Sequence, residues 1–309
     1  MYNFGKCFGF FNRNIFMCTI ILSGIGVVNV INESLKFSEF ILEEILSLYQ
    51  EIRALSDGEI LSCSSDRPEE LFLKLDTLIT QNLESDVVSI LLDKKDLEPI
   101  FAHINRFRNL YTVRLETMYS NEILASQSPW NVLENYPFYK NYLRLIRTEY
   151  EGFGLKAGDR IFFLGSGPLP LTLIVFFKYH AVKGTGIEQN PERTRLSIET
   201  LDKLGLSKDI TIINGSHLSM NPIDFLDPDA GSKALIIAAQ AEPKREILDH
   251  LLKVIPPGCR ISYRIYEKGL MRLVNRDFLL DLPEGYREYK RIKPEPPAYN
   301  TVVFVEKKE

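Results

Sequence analysis

Residues 162–177 read FFLGSGPLPLTLIVFF. An apolar run ends in Gly165-Ser166-Gly167 and passes into a second apolar run of helical length. This is the grammar of a strand-to-helix turn that cradles a nucleotide-like ligand. Where a dinucleotide fold carries a third glycine, the chain reads Pro168-Leu169-Pro170. Close approach of a helix N-terminus to a pyrophosphate is therefore not expected. Glu188 closes the next β-rich run, where an acidic side chain takes both hydroxyls of a ribose. From these residues alone, a tight structural turn followed by a solvated glutamate stays open as the alternative.

Outward from this stretch, short β-rich runs alternate with helical spans. The runs are IFFLG (161–165), GTGIE (184–188), ITIING (210–215), ALIIAA (234–239), RISYRIY (260–266) and TVVFVE (301–306). Helices are expected at about 170–182, 191–204 and 242–254, with a Pro-rich turn at KPEPPAYN (293–300). The alternation predicts an α/β chain whose residues 151–309 form a Rossmann-like, doubly wound parallel sheet. Residues 33–150 read as helical, with Phe37, Ile41, Ile45, Leu48, Ile52 and Leu55 on a three-to-four spacing. Asp66 before Pro68, Glu69 and Glu70 marks a helix start. A long helix is expected from about Asp96 to Ala125, a break at SQSPW (126–130), and another helix over Tyr139–Tyr150.

Composition narrows the function classes. The 309 residues are 45% hydrophobic and 25% charged, enough for a large core. A net charge of −4 leaves no basic excess for a phosphate backbone, so nucleic acid is not an expected partner. Four scattered cysteines and four separated histidines signal neither a disulfide framework nor a zinc cluster, and no metal requirement is expected. A reducing, cytoplasmic setting fits. Against it stands the apolar run 15–31, preceded by Lys6 and Arg13, barely long enough to span a bilayer. As an anchor or signal it would place the body outside, away from an intracellular cofactor. Residues 1–32 are read instead as an extension from a misassigned start or a segment docked on the body.

The adenosine-like ligand has a second end. S-adenosylmethionine needs adenosine recognition plus room for a sulfonium and an amino acid tail. Methyltransferases using it place an acid two positions before the first glycine, to hold the methionine end. Here that position is Phe163, so the tail is held in another way. They also carry an acid for the adenine amino group at the slot filled here by Ser216, next to His217.

GSGPLPLT (165–172), AAQAEPKR (238–245), RISYRIY (260–266) and YNTVVFV (299–305), preceded by SPW (128–130) and FYKNYLRLI (138–146), resemble the nicotianamine synthase family, its short archaeal members above all. The resemblance covers about residues 35–306. It implies a helical domain over a Rossmann-like one, and a transferase that takes aminobutyrate groups from S-adenosylmethionine. An amine attacks the γ-carbon, 5′-methylthioadenosine leaves, and repetition builds a metal chelator. An ordinary methyltransferase is the alternative, and a noncatalytic cofactor-binding regulator a third reading.

The resemblance also implies roles. Periodicity places Glu116 on a solvated face of the long helix, off the stripe of Ile100, Ile104, Phe107, Tyr111 and Met118. By resemblance it faces the reaction chamber and accepts the proton lost from nitrogen. Tyr142 matches a tyrosine of the same chamber, and Tyr139 is its neighbour one turn earlier. Gly165, Ser166, Gly167, Pro168, Leu169, Glu188 and Ser216 are the expected cofactor-binding set. Arg264 and Tyr266, near the end of a strand, are expected at the acceptor, with the Arg264 fork clamping a carboxylate. Glu242, ahead of Pro243, Lys244 and Arg245, sits at another strand end, with Pro243 read as the first residue of a helix.

Overall fold

The computed structural model describes residues 25–81, 83, 85–216, 218, 232–275, 277 and 280–309. The first seven helices precede any strand: α1 (Ile25–Ile52), α2 (Asp57–Leu61), α3 (Arg67–Ile79), α4 (Ser85–Leu92), α5 (Glu98–Ala125), α6 (Pro129–Glu134) and α7 (Tyr139–Phe153). Then come β1 (Arg160–Leu164), α8 (Leu171–His180), β2 (Lys183–Glu188), α9 (Pro191–Lys203), β3 (Ile210–Asn214), β4 (Ser232–Ile237), α10 (Lys244–Val254), β5 (Arg260–Ile265), α11 (Met271–Val274), β6 (Tyr286–Ile292) and β7 (Thr301–Lys307).

The seven strands run in the order β3-β2-β1-β4-β5-β7-β6. The first five are parallel; β7 pairs antiparallel with β5, and β6 antiparallel with β7. Central strands covered by helices on both faces lack alternation, and Ile161, Phe162, Phe163 and Leu164 of β1 are all buried. The expected parallel, doubly wound sheet is present, extended by an antiparallel pair at one edge. The order reverses between β1 and β4, the switch point where ligands bind in such sheets.

α1 packs through Ile41, Ile45, Leu48 and Ile52, every one buried. α5 is buried on more than one side: Phe101, Ile104 and Phe107 enter the core, and so do Arg114 and Ser120. It lies between the other helices and the sheet half, so its polar face has a second neighbour. One continuous apolar cluster runs through helical and sheet halves alike.

Three expectations shift in detail. Strand β6 has no counterpart in the sequence reading, because YREYKRI carries charged residues throughout and only Tyr286 of it is buried. α10 begins at Lys244, with Pro243 at the N-cap. The apolar run 15–31 falls largely outside the described residues, among whose helices none is long and apolar enough to cross a membrane.

Candidate active site

At the switch point lies a cavity of about 290 Å³. Its floor is the loop after β1. Gly165 and Ser166 donate their N–H groups to the Ile187 carbonyl of β2, at 3.1 and 2.9 Å. Gly165 and Gly167 have φ of 83° and 70°, the left-handed region that glycine reaches without strain. A Cβ on Gly167 would lie 2.5 Å from Glu116 Oε2, so glycine is also what lets α5 close over this loop.

The proline run faces the helical half. Pro168, Leu169 and Pro170 are buried, and Ser120 of α5 donates its hydroxyl to the Pro168 carbonyl at 3.1 Å. Of the three, only Leu169 lines the cavity. Pro168, expected at the cofactor, stands outside this lining, and its segment, which would follow a pyrophosphate in a dinucleotide fold, docks on α5. Phe163 lies in the wall, with the Arg264 guanidinium 5.4 Å from its ring centroid.

Two carboxylates flank Gly167. Glu188, 5% exposed at the end of β2, accepts the Gly167 N–H at 3.1 Å through Oε2 and the Asn190 N–H at 2.9 Å through Oε1. Each oxygen keeps a lone pair for a ligand hydroxyl. Glu116, from α5, opens onto the cavity but lies deep within the molecule. Burial, and then the Glu188 charge, push its pKa up to about 8, against the opposing pull of Arg193 and of the Leu169 N–H. The periodicity reading of Glu116 as a solvated residue is corrected, because the polar face of α5 is turned to the cavity and away from bulk water.

Tyr142 of α7 also lines the cavity, with Phe138, Asn141 and Leu145 on the same helix face. Its phenol is raised by burial first and by Glu116 next. Tyr139 lies off that face: its ring is buried and its hydroxyl meets the Tyr179 hydroxyl at 3.1 Å, away from the cavity lining. Tyr139, expected at the substrate, thus stands outside the cavity lining.

Arg264 reaches the cavity wall but is already engaged. Nε and Nη2 donate to Glu149 at 2.9 and 2.8 Å, and Nη1 donates to Thr172 Oγ1 at 3.1 Å. Both partners of this ion pair are buried, Arg264 at 3% and Glu149 at 0% exposure. The fork expected to clamp an acceptor carboxylate gives three of its five N–H donors to these partners, and so ties α7 and α8 to β5. Tyr266, just beyond β5, lines the cavity and receives a hydrogen bond from Arg108 Nη2 at 3.1 Å.

Glu242 lines the cavity after β4, with Oε1 accepting from Asn275 at 3.0 Å; burial raises its pKa, against the pull of Lys244. The buried Lys244 holds this loop by donating to the Ala239 carbonyl at 2.7 Å and pairing with Asp277 at 2.5 Å. Ser216 stands outside the lining, its hydroxyl accepting the Leu218 N–H at 3.2 Å, and His217 lies outside the described residues. Arg108, Arg193, Asp76 and Asn300 also line the cavity and went unmarked in the sequence, where each reads as an ordinary surface residue. Among the described residues, no three His, Cys, Asp or Glu side chains are grouped to hold a metal ion.

A family model described as nicotianamine synthase protein matches residues 32–309. Nicotianamine synthase 3 of Arabidopsis thaliana is 29% identical over 245 residues, covering 73% of this chain and 71% of that protein. Nicotianamine synthase of Solanum lycopersicum is 23% identical, covering 72% of this chain and 70% of its own. Among solved structures, MtNAS in complex with MTA and tNA matches with a TM-score of 0.73 at 24% identity, over 88% of this chain and 98% of that one. That likeness is one of fold. With the family model spanning both the helical and the sheet halves that build this cavity, the chain belongs to the nicotianamine synthase family.

Proposed function

We propose that the cavity binds S-adenosylmethionine with its adenosine on the Gly165–Gly167 loop and its ribose hydroxyls at Glu188, and transfers the aminobutyrate group to an amine held beneath α5. Residues 151–309 supply the donor floor and residues 33–150 the roof. In this chemistry the amine lone pair forms a bond to the γ-carbon. The carbon–sulfur bond breaks with its electrons passing to sulfur, and neutral 5′-methylthioadenosine leaves. The nitrogen then carries one proton too many. Glu116 is the group placed to take it, with a pKa near 8 that suits exchange with an amine near neutral pH. Tyr142 orients the acceptor or relays that proton.

The observation carrying this reading is the pair of carboxylates on either side of Gly167. One is held by backbone N–H groups as an acceptor for hydroxyls, the other is kept proton-avid over the same loop. Phe163 in the wall supports it, since an acid there would hold the methionine tail as methyltransferases do. Incubating the protein with S-adenosylmethionine and amine acceptors, with products resolved by mass spectrometry, tests it. Expected are 5′-methylthioadenosine and products growing by one aminobutyrate unit per turn. S-adenosylhomocysteine as the main nucleoside would instead establish methyl transfer.

A further inference from the structure

Tyr136 lies in the link between α6 and α7, where no motif marks it. Its side chain lines the cavity, and only 3% of the residue is exposed. The ring is wedged between Tyr119 and Phe138, at centroid distances of 5.1 and 5.9 Å, both in edge-to-face geometry. The Tyr136 carbonyl accepts the Tyr139 N–H at 2.9 Å and so ties the link to the start of α7. A buried tyrosine hydroxyl almost always finds a partner. Among the described residues this one makes no hydrogen bond, yet it is not sealed off, and the cavity is the space left to it. Burial, and then the Glu116 charge, hold its pKa well above the usual phenol range, so it stays a neutral O–H with two acceptor lone pairs. Of the groups acting on it, Glu116 carries the charge; the others are the phenols of Tyr142, Tyr119 and Tyr111.

A neutral primary amine has one lone pair and two N–H groups. For the lone pair to meet the γ-carbon, both N–H groups need acceptors that hold them off the line of attack. Glu116, against Gly167, supplies one of them. We propose that Tyr136 is a further catalytic residue, whose hydroxyl oxygen accepts the second N–H of the attacking amine and so aims the lone pair at the donor on the glycine loop. As the nitrogen–carbon bond forms, the carbon–sulfur electrons pass to sulfur and Glu116 takes one N–H proton. The N–H on Tyr136 stays with nitrogen, and the phenol neither gains nor loses a proton. The step rests on the aminobutyrate-transfer reading; contact between an amine and Tyr136 is measurable without turnover.

The test pairs kinetics with fluorine NMR. Tyr136→Phe keeps the ring and its contacts and removes the acceptor. Its kcat, read as 5′-methylthioadenosine release, is expected to fall ~2–10-fold, the range for a neutral hydrogen bond. KM for S-adenosylmethionine and the unfolding temperature are expected to hold, because a hydroxyl without a partner adds nothing to the empty fold. Unchanged kcat overturns the proposal. Parallel losses of kcat, donor affinity and stability mark Tyr136 as a packing residue and overturn it too. For the second measurement, 3-fluorotyrosine is placed at position 136 and the protein is saturated with 5′-methylthioadenosine. The fluorine resonance is expected to shift on addition of at least one of L-glutamate, L-histidine and L-methionine, and to stay put with the desamino analogue of that amino acid. A resonance that answers to none of them, or equally to the analogue, overturns the proposal. Failure of the transfer reading shows separately, as no 5′-methylthioadenosine released from S-adenosylmethionine by wild type while the fluorine response to the amine persists.

Discussion

The two ends of the cavity are built in opposite ways. The part around the glycine loop is mostly backbone: N–H groups that reach the Ile187 carbonyl, and a glutamate fixed by two further N–H groups. The other part of the lining is side chains from distant parts of the chain, Asp76 on α3, Arg108 on α5, Tyr266 after β5 and Asn300 before β7. Backbone recognition needs particular conformations and so leaves glycines at fixed spacing. Side-chain recognition needs only that ordinary residues converge. One end is therefore written in a few consecutive residues and the other only in the folded chain, with Glu116 standing where they meet.

Removing the meeting point should have the largest effect. Glu116→Gln keeps the shape and removes the ability to take a proton. Turnover, read as 5′-methylthioadenosine release, is expected to fall by roughly 10²–10⁴-fold, the usual contribution of a positioned base. Donor affinity should change little. Near-wild-type turnover would return Glu116 to a structural role and leave the two ends without a shared catalyst.

The next largest effect should strike both ends alike. Glu149→Gln leaves the buried Arg264 without its counter-charge, and breaking such a pair from one side costs about 3–5 kcal/mol. The unfolding midpoint is expected to drop by on the order of 10 °C. An unchanged midpoint in calorimetry would show that water or Tyr142 compensates the guanidinium, and that the ends are less firmly joined than the network implies.

Glu188→Ala should act on one end only. Losing a charged acceptor for ribose hydroxyls weakens S-adenosylmethionine binding by ~10–100-fold, at about 1.5–3 kcal/mol per hydrogen bond. Unchanged affinity in calorimetry would show that the ribose is held elsewhere.

Legibility follows the same division. The parallel core was readable because β1, β4 and β5 are apolar runs separated by helical spans, and because glycines and a strand-end glutamate announce the donor loop. β6 was not, since an edge strand exposed to water carries charges in place of an apolar alternation. Periodicity alone put Glu116 in solvent because a helical wheel assumes one buried face, and α5 has two. Arg108 is a different case: seven residues after the core residue Phe101 it lies on the apolar face of α5, where a charged side chain interrupts the stripe without saying what it meets. Arg264 was rightly placed at a strand end, yet its partner Glu149 comes from α7, and no local pattern links them.

A smaller effect is expected from pH. Because burial and Glu188 raise the Glu116 pKa to about 8, the carboxyl holds a proton below that pH and cannot accept another. kcat/KM for the donor should rise with pH to a plateau above about 8, standing roughly tenfold below it one unit lower. A donor sulfonium beside Glu116 favours the ionised form, so the kcat profile should turn at a lower pH than kcat/KM. Coincident profiles would mean that donor charge does not reach Glu116.

The smallest effect tests the donor end in finest detail. Ser166 lines the cavity at 4% exposure, and its hydroxyl is buried without a partner, the third such orphan in the wall after Arg108 Nε and Asn300 Nδ2. In the empty protein this hydroxyl is a liability, because a buried polar group without a partner forfeits its bonds to water. Ser166→Ala should therefore leave the stability of the free protein unchanged or slightly higher. If S-adenosylmethionine supplies the missing partner, a neutral hydrogen bond of about 0.5–1.5 kcal/mol makes its loss worth ~2–10-fold in affinity. The two effects have opposite signs, which packing alone would not produce. Parallel losses of stability and affinity would make Ser166 a packing residue; unchanged affinity would mean that the donor end recognises its ligand through backbone and Glu188 alone.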